Sequence, residues 1–462
     1  MNQDTICALA TANGIGALGI IRVSGPQAFQ NVNRCFEGKD LTKVESHTVH
    51  YGFIMENEES IDEVMVSVFK APKTFTTEDS VEISFHGSPF IAKRILDVLI
   101  ASGCRMAKAG EFTMRAFMNG RIDLSQAEAI ADVIASENET SRKVALNQLK
   151  GGVSNEISLL RGDLLNFTSL VELELDFAEE DVEFADRTAL NLLLNRIEEK
   201  LRILIESFQY GNAIKNGVDV TIVGKPNAGK STLLNALLKE ERAIVSDIAG
   251  TTRDTIEEVF HIKGTAFRFI DTAGLRETTD TIEKIGVQKA IEKISTASIL
   301  LYLYDEFDNT PEEIIESVKS FAREDLVILL LHNKIDLASE KKEEFDAKLS
   351  EALLPELVSR IIPISAKDQV GLESLKSELS SYVESLKSDQ NNVVITNQRH
   401  YESLNKSLES VLRVKKAVTQ SFHTELLAYE LKYALEYLGE ISGEFTNDEV
   451  LGNIFSKFCI GK

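Results

Sequence analysis

The chain has 462 residues, 43% apolar and 27% charged, which is ordinary for a globular protein and enough for about three domains with buried cores. A net charge of −23 excludes broad electrostatic binding of nucleic acid, though not a local basic site. Four scattered cysteines (Cys7, Cys35, Cys104, Cys459) with no C-x-x-C pair exclude a disulfide framework or zinc site and fit a reducing compartment.

Met1 to Ala10 has neither a basic start nor a long apolar core. No window approaches the roughly 20 apolar residues of a membrane span, so a cytoplasmic protein with no membrane partner is expected. Residues 1–118 read as a small α+β domain. Strands are predicted at Gly19–Val23, Val64–Phe69 and Ser80–Phe85 from β-branched alternation, with a helix over Phe90–Ser102. The glycine-rich run Thr11–Gly19 is not G-x-G-x-x-G opening a helix and predicts no dinucleotide site.

From Leu124 the apolar period becomes helical, with Ser125 and Glu128 read as a capping box. Ile157, Leu160, Leu164, Phe167 and Val171 are spaced 3, 4, 3, 4, and Leu190 to Phe208 continue alike, so 119–216 reads as bundle helices. Eight carboxylates between Glu172 and Asp186 face no Lys or Arg. That run reads as a solvated face, with a docking surface for a basic partner as the competing reading. Gly211–Gly217 reads as a polar connection.

Residues 217–386 alternate strand and helix, the pattern of an α/β domain. Val218–Val223 is a buried strand, followed by Gly224-Lys225-Pro226-Asn227-Ala228-Gly229-Lys230-Ser231 and an apolar-periodic helix. That is the G-x-x-x-x-G-K-S phosphate loop. Backbone N–H groups of Asn227 to Thr232 and the helix dipole would cradle a polyphosphate. Lys230 would reach the outer phosphates, and Ser231 would hold Mg²⁺. Gly250-Thr251-Thr252 precedes a hairpin about Lys263-Gly264, and Thr252 would complete the Mg²⁺ shell. Asp271-Thr272-Ala273-Gly274 ends the next strand, with Asp271 behind Mg²⁺ and the Gly274 N–H at the γ-phosphate. Asn333-Lys334-Ile335-Asp336 follows a buried strand. The Asp336 carboxylate would accept from guanine N1–H and the 2-amino group, which adenine does not offer. Ser365-Ala366-Lys367 follows the last strand and offers backbone N–H to guanine O6. Five motifs in register predict a GTP site.

Leu275 stands where Ras-like GTPases carry the glutamine that orients the attacking water. The water needs another handler: a partner, or Glu277, Asp280 or Glu283 in the segment that follows. Asn227 offers an amide oxygen that could hold a monovalent cation in place of an arginine finger, or could simply hold a turn. After Lys387 a polar linker leads to renewed helical period, Leu427, Leu431, Ala434, Leu438 and Ile441. Residues 387–462 are expected to complete the bundle, which makes 217–386 an insertion. Cys459, read alone, is a small buried residue. Its Cys459-Ile460-Gly461-Lys462 ending fits prenylation poorly.

The G-motifs, together with Asp247-Ile248-Ala249-Gly250-Thr251-Thr252-Arg253-Asp254, Phe112–Leu124, Gly443-Glu444-Phe445-Thr446 and the final Phe458–Lys462, resemble the tRNA modification GTPase MnmE (TrmE) family over essentially the whole chain. The resemblance implies a multidomain α/β plus α protein: an N-terminal α+β folate-binding-like domain, a helical bundle and an inserted Ras-like G domain. It implies a homodimer and a heterotetramer with the FAD-bearing flavoprotein MnmG, acting on the wobble uridine of certain tRNAs. A tetrahydrofolate derivative (5,10-methylene or 5-formyl) and glycine or ammonium would build an aminomethyl-type group at carbon 5. By the resemblance, GTP contacts extend over Ser246, Asp247, Ile248, Ala249, Gly250, Thr251 and Thr252. K⁺ maps to Asn227, Ser246, Ile248 and Thr251, and the water-handling residue to Glu283. Folate contacts map to Arg22, Glu82, Arg121 and Lys462, and Cys459 lies near the folate site. Arg121 stands where relatives often have Lys, and His86-Gly87-Ser88 where many have His-Gly-Gly. An Era-like ribosome-assembly switch is the alternative reading. It would need a basic RNA-binding appendage such as a KH domain.

Overall fold

A computed structural model describes residues 4–176, 187–241, 258–269, 294, 297–323, 325–337, 342–387, 393–420, 424–446, 448–458 and 460–461. The chain forms two compact units: one of residues 1–135, 145–199 and 402–462, the other of 136–144 and 200–401. The second unit therefore interrupts the first in sequence. The cuts at 199/200 and 401/402 fall inside the long helices Arg187–Asn216 and Gln398–Thr419.

In the first unit a seven-stranded sheet has the order β3-β4-β5-β6-β2-β1-β7. Its strands are β1 (Ile6–Leu9), β2 (Leu18–Ser24), β3 (Phe36–Glu37), β4 (Thr48–Glu56), β5 (Glu59–Phe69), β6 (Ser80–His86) and β7 (Arg105–Met106). Alternation puts Ile21, Val23, Val64, Val66, Ile83 and Phe85 in one core with Ile95 and Leu99 of the helix Pro89–Ala101. The opposite face of β2 and β6 carries Arg22 and Glu82, which are register partners.

Helices Leu124–Ala135 and Gly152–Asp176 follow, and Thr424–Ser442 packs against Gly152–Asp176 through buried Leu427, Leu431, Ala434 and Leu438. The predicted cap at Ser125 is corrected. The cap lies two residues earlier, and the box is Asp123 with Gln126: Gln126 N–H donates to Asp123 Oδ1 at 2.8 Å, and Asp123 N–H to Gln126 Oε1 at 3.0 Å. Ser125 Oγ instead donates to Asp123 Oδ1 at 2.9 Å.

The second unit holds a six-stranded sheet in the order β13-β12-β11-β8-β10-β9. Its strands are β8 (Val218–Val223), β9 (Glu258–Ile262), β10 (Thr265–Phe269), β11 (Ile299–Tyr304), β12 (Val327–His332) and β13 (Arg360–Pro363). All pairs are parallel except the β9–β10 hairpin. Lys263 and Gly264 both have positive φ (48° and 83°), the two-residue turn that suits strand twist. Every residue of β11 is buried, as a strand covered on both faces requires.

The predicted connection at Gly211–Gly217 is also corrected, because the helix Arg187–Asn216 runs through it. Gly211 sits inside this helix, and the Ile395 carbonyl lies where its Cβ would stand. Close approach, not a turn, sets the residue there. The acidic run from 177 to 186 and the linker 388–392 lie outside the described residues.

Candidate functional site

β8 ends at Val223, and the helix Lys230–Glu241 begins seven residues on. Between them Asn227 and Gly229 take positive φ of 65° and 99°. Asn tolerates that region and Gly adopts it freely, so residue type and loop path agree. A side chain at Gly229 would also strike the Asn333 amide. Lys230 Nζ donates to the carbonyls of Gly224 at 2.7 Å and Lys225 at 2.9 Å. Burial lowers its pKa. Ser231 and Thr232 open the helix.

The 333–336 loop follows β12. Asn333 is buried and works in two directions: Nδ2 donates to the Ala228 carbonyl at 2.7 Å, and Oδ1 accepts from the Ala366 N–H at 3.0 Å. One amide thus joins the phosphate loop to the Ser365–Lys367 loop. Ser365 Oγ donates to Asp336 Oδ1 at 2.8 Å, which orients an exposed carboxylate. Lys334, at φ 63°, places Nζ 2.7 Å from Asp305 and 3.3 Å from Asp308. Burial opposes its charge, but the two carboxylates outweigh it and raise its pKa. Ala366 is buried and Lys367 exposed.

The structure therefore brings together Asn227, Ala228, Gly229, Lys230, Ser231 and Thr232 with Asn333, Lys334, Asp336, Ser365, Ala366 and Lys367. Ser246 to Thr252, Asp271 to Gly274 and Glu283 lie outside the described residues.

A second cluster sits in the first unit. Arg22 Nε and Nη2 donate to Glu82 Oε1 at 3.0 and 2.8 Å. The Arg22 guanidinium lies 5.6 Å from the Phe75 ring and 5.7 Å from Phe112. Arg121 lies 5.3 Å from Phe75 and donates to the Thr74 carbonyl. Two arginines from distant parts of the sequence thus converge on one aromatic ring. The chain's end comes to the same sheet: Ile460 bridges to Ala109, and Gly461 lies against the Leu9 carbonyl, where β1 pairs Ala8 with Arg22. Cys459 and Lys462 lie outside the described residues.

Sequence reasoning did not find Phe75, Phe112 or the group of Tyr304, Glu306 and Asp346 around the buried His332. The last had one visible signal, a lone His closing the apolar run of β12. A cavity of about 310 Å³ is lined by the Thr11–Gly19 run with Phe85, Gly87 and Ala92. Among the described residues no helix is long and apolar enough to cross a membrane, and no cluster of His, Cys, Asp or Glu fits a metal ion.

A mostly parallel sheet whose phosphate loop is tied through Asn333 to a base-recognition loop defines a P-loop GTP hydrolase. Comparison with known proteins narrows this. A family model described as the MnmE helical domain matches residues 124–459, and one described as the GTP-binding protein TrmE N-terminus matches 5–121. The tRNA modification GTPase MnmE of Flavobacterium johnsoniae is 52% identical, covering 100% of both chains. That of Flavobacterium psychrophilum is 51% identical, covering 100% of this chain and 99% of its own. That of Bacteroides fragilis is 49% identical over 100% of both. Aquifex aeolicus Era bound to GDP.AlF4- overlaps 42% of this chain and 66% of its own at 26% identity and a TM-score of 0.28. The chain belongs to the MnmE family of tRNA modification GTPases.

Proposed function

We propose that this GTPase is K⁺-stimulated, dimeric and cytoplasmic, and acts with the flavoprotein MnmG, which carries FAD. Together they modify carbon 5 of the wobble uridine of certain tRNAs. The product is an aminomethyl-type group, carboxymethylaminomethyl when glycine is the amine, and the added carbon comes from a tetrahydrofolate derivative. The observation that carries this reading is the 52% identity, end to end, to a protein named as a tRNA modification GTPase. The same full-length match favours it over an Era-like switch.

The residues present fit the groups this reading needs. Hard cations take oxygen donors. Ser231 supplies a hydroxyl for Mg²⁺ beside the backbone cradle, and Asn227 an exposed amide oxygen for K⁺. Thr252 is assigned to Mg²⁺, and Ser246, Ile248 and Thr251 to K⁺. Bound cations would neutralise charge on the phosphates during transfer. Lys230 binds the outer phosphates, Asp336 selects guanine, and Glu283 orients the water.

For folate, Phe75 offers a stacking face, and Arg22, Arg121 and Glu82 offer charged hydrogen bonds. That set suits a planar pterin with a polar edge. Lys462 would bind the anionic tail, and Cys459 is assigned to the same site. The domain plan 1–118, 119–216, 217–386 and 387–462 is part of the same proposal. Reconstitution tests it: purified chain, MnmG, tRNA, GTP, methylene-tetrahydrofolate and glycine should yield modified uridine only when all are present. Product without the folate would sink the carbon-source assignment.

A further inference from the structure

We propose that His332 is a positioning residue: as an imidazolium clamped between Glu306 and Asp346 it locks the 333–336 loop, so guanine nucleotide leaves faster as rising pH strips its proton. The inference rests on the reading of that loop as the guanine-recognition element.

The His332 ring is fully buried at the end of β12, one residue before Asn333. Nε2 lies 2.6 Å from Glu306 Oε2, and Nδ1 lies 2.8 and 2.9 Å from the two oxygens of Asp346. An ionised carboxylate only accepts hydrogen bonds, so both ring nitrogens must donate, and a ring with two N–H groups is charged. The Glu306 side chain is 3% exposed, and its other oxygen has no hydrogen-bond partner among the described residues. The imidazolium is thus the counter-charge that allows Glu306 to be buried as a carboxylate.

Each element packed on the ring contributes to the clamp. Tyr304 of β11 stacks on it at 4.8 Å and donates its hydroxyl to Asp346 at 2.6 Å. The helix Lys342–Leu353 brings Asp346 and Phe345, whose ring lies 6.2 Å away. The turn after β11 brings Glu306, with Asp305 beside it paired to Lys334. Burial opposes the charge, and the Asp346 and Glu306 carboxylates outweigh it, so the ring titrates above the ordinary histidine range.

The clamp reaches the nucleotide loop through backbone and charge. Asn333 N–H donates to the Tyr304 carbonyl at 2.8 Å, and the His332 carbonyl accepts from Ile364 N–H at 2.7 Å. A neutral ring has one N–H and would turn a lone pair toward one carboxylate. Glu306 then loses its counter-charge and moves, carrying Asp305 and with it the Lys334 ammonium. Asn333 sits between His332, whose ring loses a hydrogen bond, and the displaced Lys334.

The test is release of a fluorescent GDP analogue from the full chain, followed from about pH 6 to pH 9, which brackets the histidine range. The wild type should show a one-proton rise of about tenfold, the scale expected for losing a charged hydrogen bond. His332→Gln should release fast with no such inflection. Glu306→Gln should move the inflection to lower pH, because one of the two stabilising charges is gone. Ring ¹⁵N shifts should show His332 doubly protonated at neutral pH. A neutral ring there, or the same pH profile in His332→Gln as in wild type, overturns the proposal. Should His332→Gln fail to fold, Glu306→Gln and the ¹⁵N shifts decide alone. Asp336→Asn tests the underlying reading separately: it should exchange guanine for xanthine preference, an outcome that the state of His332 does not alter.

Discussion

The side-chain amide of Asn333 donates to the carbonyl of Ala228 at 2.7 Å, and this bond joins the 224–231 loop to the 333–336 loop. Its oxygen takes the Ala366 N–H as well, so one buried side chain sets the distance between the 224–231 loop and the 365–367 loop.

Asn333→Ala removes both bonds and leaves the Ala366 N–H and Ala228 carbonyl unpaired. Each buried unpaired group costs about 1–3 kcal/mol. Two such groups amount to about 2–6 kcal/mol, so GDP affinity should fall about thirtyfold or more by calorimetric titration, with the far-ultraviolet circular dichroism unchanged. Unaltered affinity would show that the two loops are held by something else.

The Arg22–Glu82 pair is about three-quarters buried on a sheet face, 24% and 28% exposed. An ion pair still this open to water contributes about 1 kcal/mol or less to stability. Arg22→Ala should thus leave the melting temperature nearly unchanged and GTP turnover intact, while folate binding is lost. Retained binding by equilibrium dialysis would move the folate site elsewhere.

Glu283→Ala should keep GTP binding and cut hydrolysis by at least about a hundredfold, the scale of a lost general base or water-positioning group. Full turnover would return the water-handling role to a partner. GTP turnover should also rise steeply with K⁺ and not with Na⁺. Equal rates in the two salts would remove the cation assignment at Asn227.

The first unit should be acid-sensitive. Glu111 is 2% exposed. Burial raises its pKa, but Arg105, the Lys108 N–H and Arg115 outweigh it, so the net shift is downward. A lowered carboxylate pKa gives stability that is present above the unfolded value, about 4.3, and is lost as pH falls through the folded value. Thermal melts should drop in temperature below about pH 4 in the wild type. Glu111→Gln should melt lower at neutral pH and lose that part of the acid dependence.

Local pattern made much of this legible. The phosphate loop, the parallel strands and the bundle helices follow from apolar period and from glycine placement. What stayed hidden depends on distant partners. Gly211 signals a turn by composition, yet the Ile395 carbonyl packed on it explains it inside a helix. Ser125 with Glu128 satisfies the capping pattern, but Asp123 with Gln126 satisfies it two residues earlier. Strand β4 holds Thr48, His50 and Glu56, polar enough to hide among loops until β5 pairs with it. Phe75 gains meaning only when Arg22 and Arg121, 99 positions apart, are folded onto it. Glu306, His332 and Asp346 are ordinary residues on three separate elements, and no spacing rule connects them.

The most direct test is mass-spectrometric nucleoside analysis of tRNA from cells lacking this gene, before and after complementation. Carbon 5 of the wobble uridine should lose its aminomethyl-type group in the deletion and regain it with the wild-type chain, but not with Asn333→Ala. An unchanged wobble uridine in the deletion strain would contradict the modification role, whatever the GTPase activity.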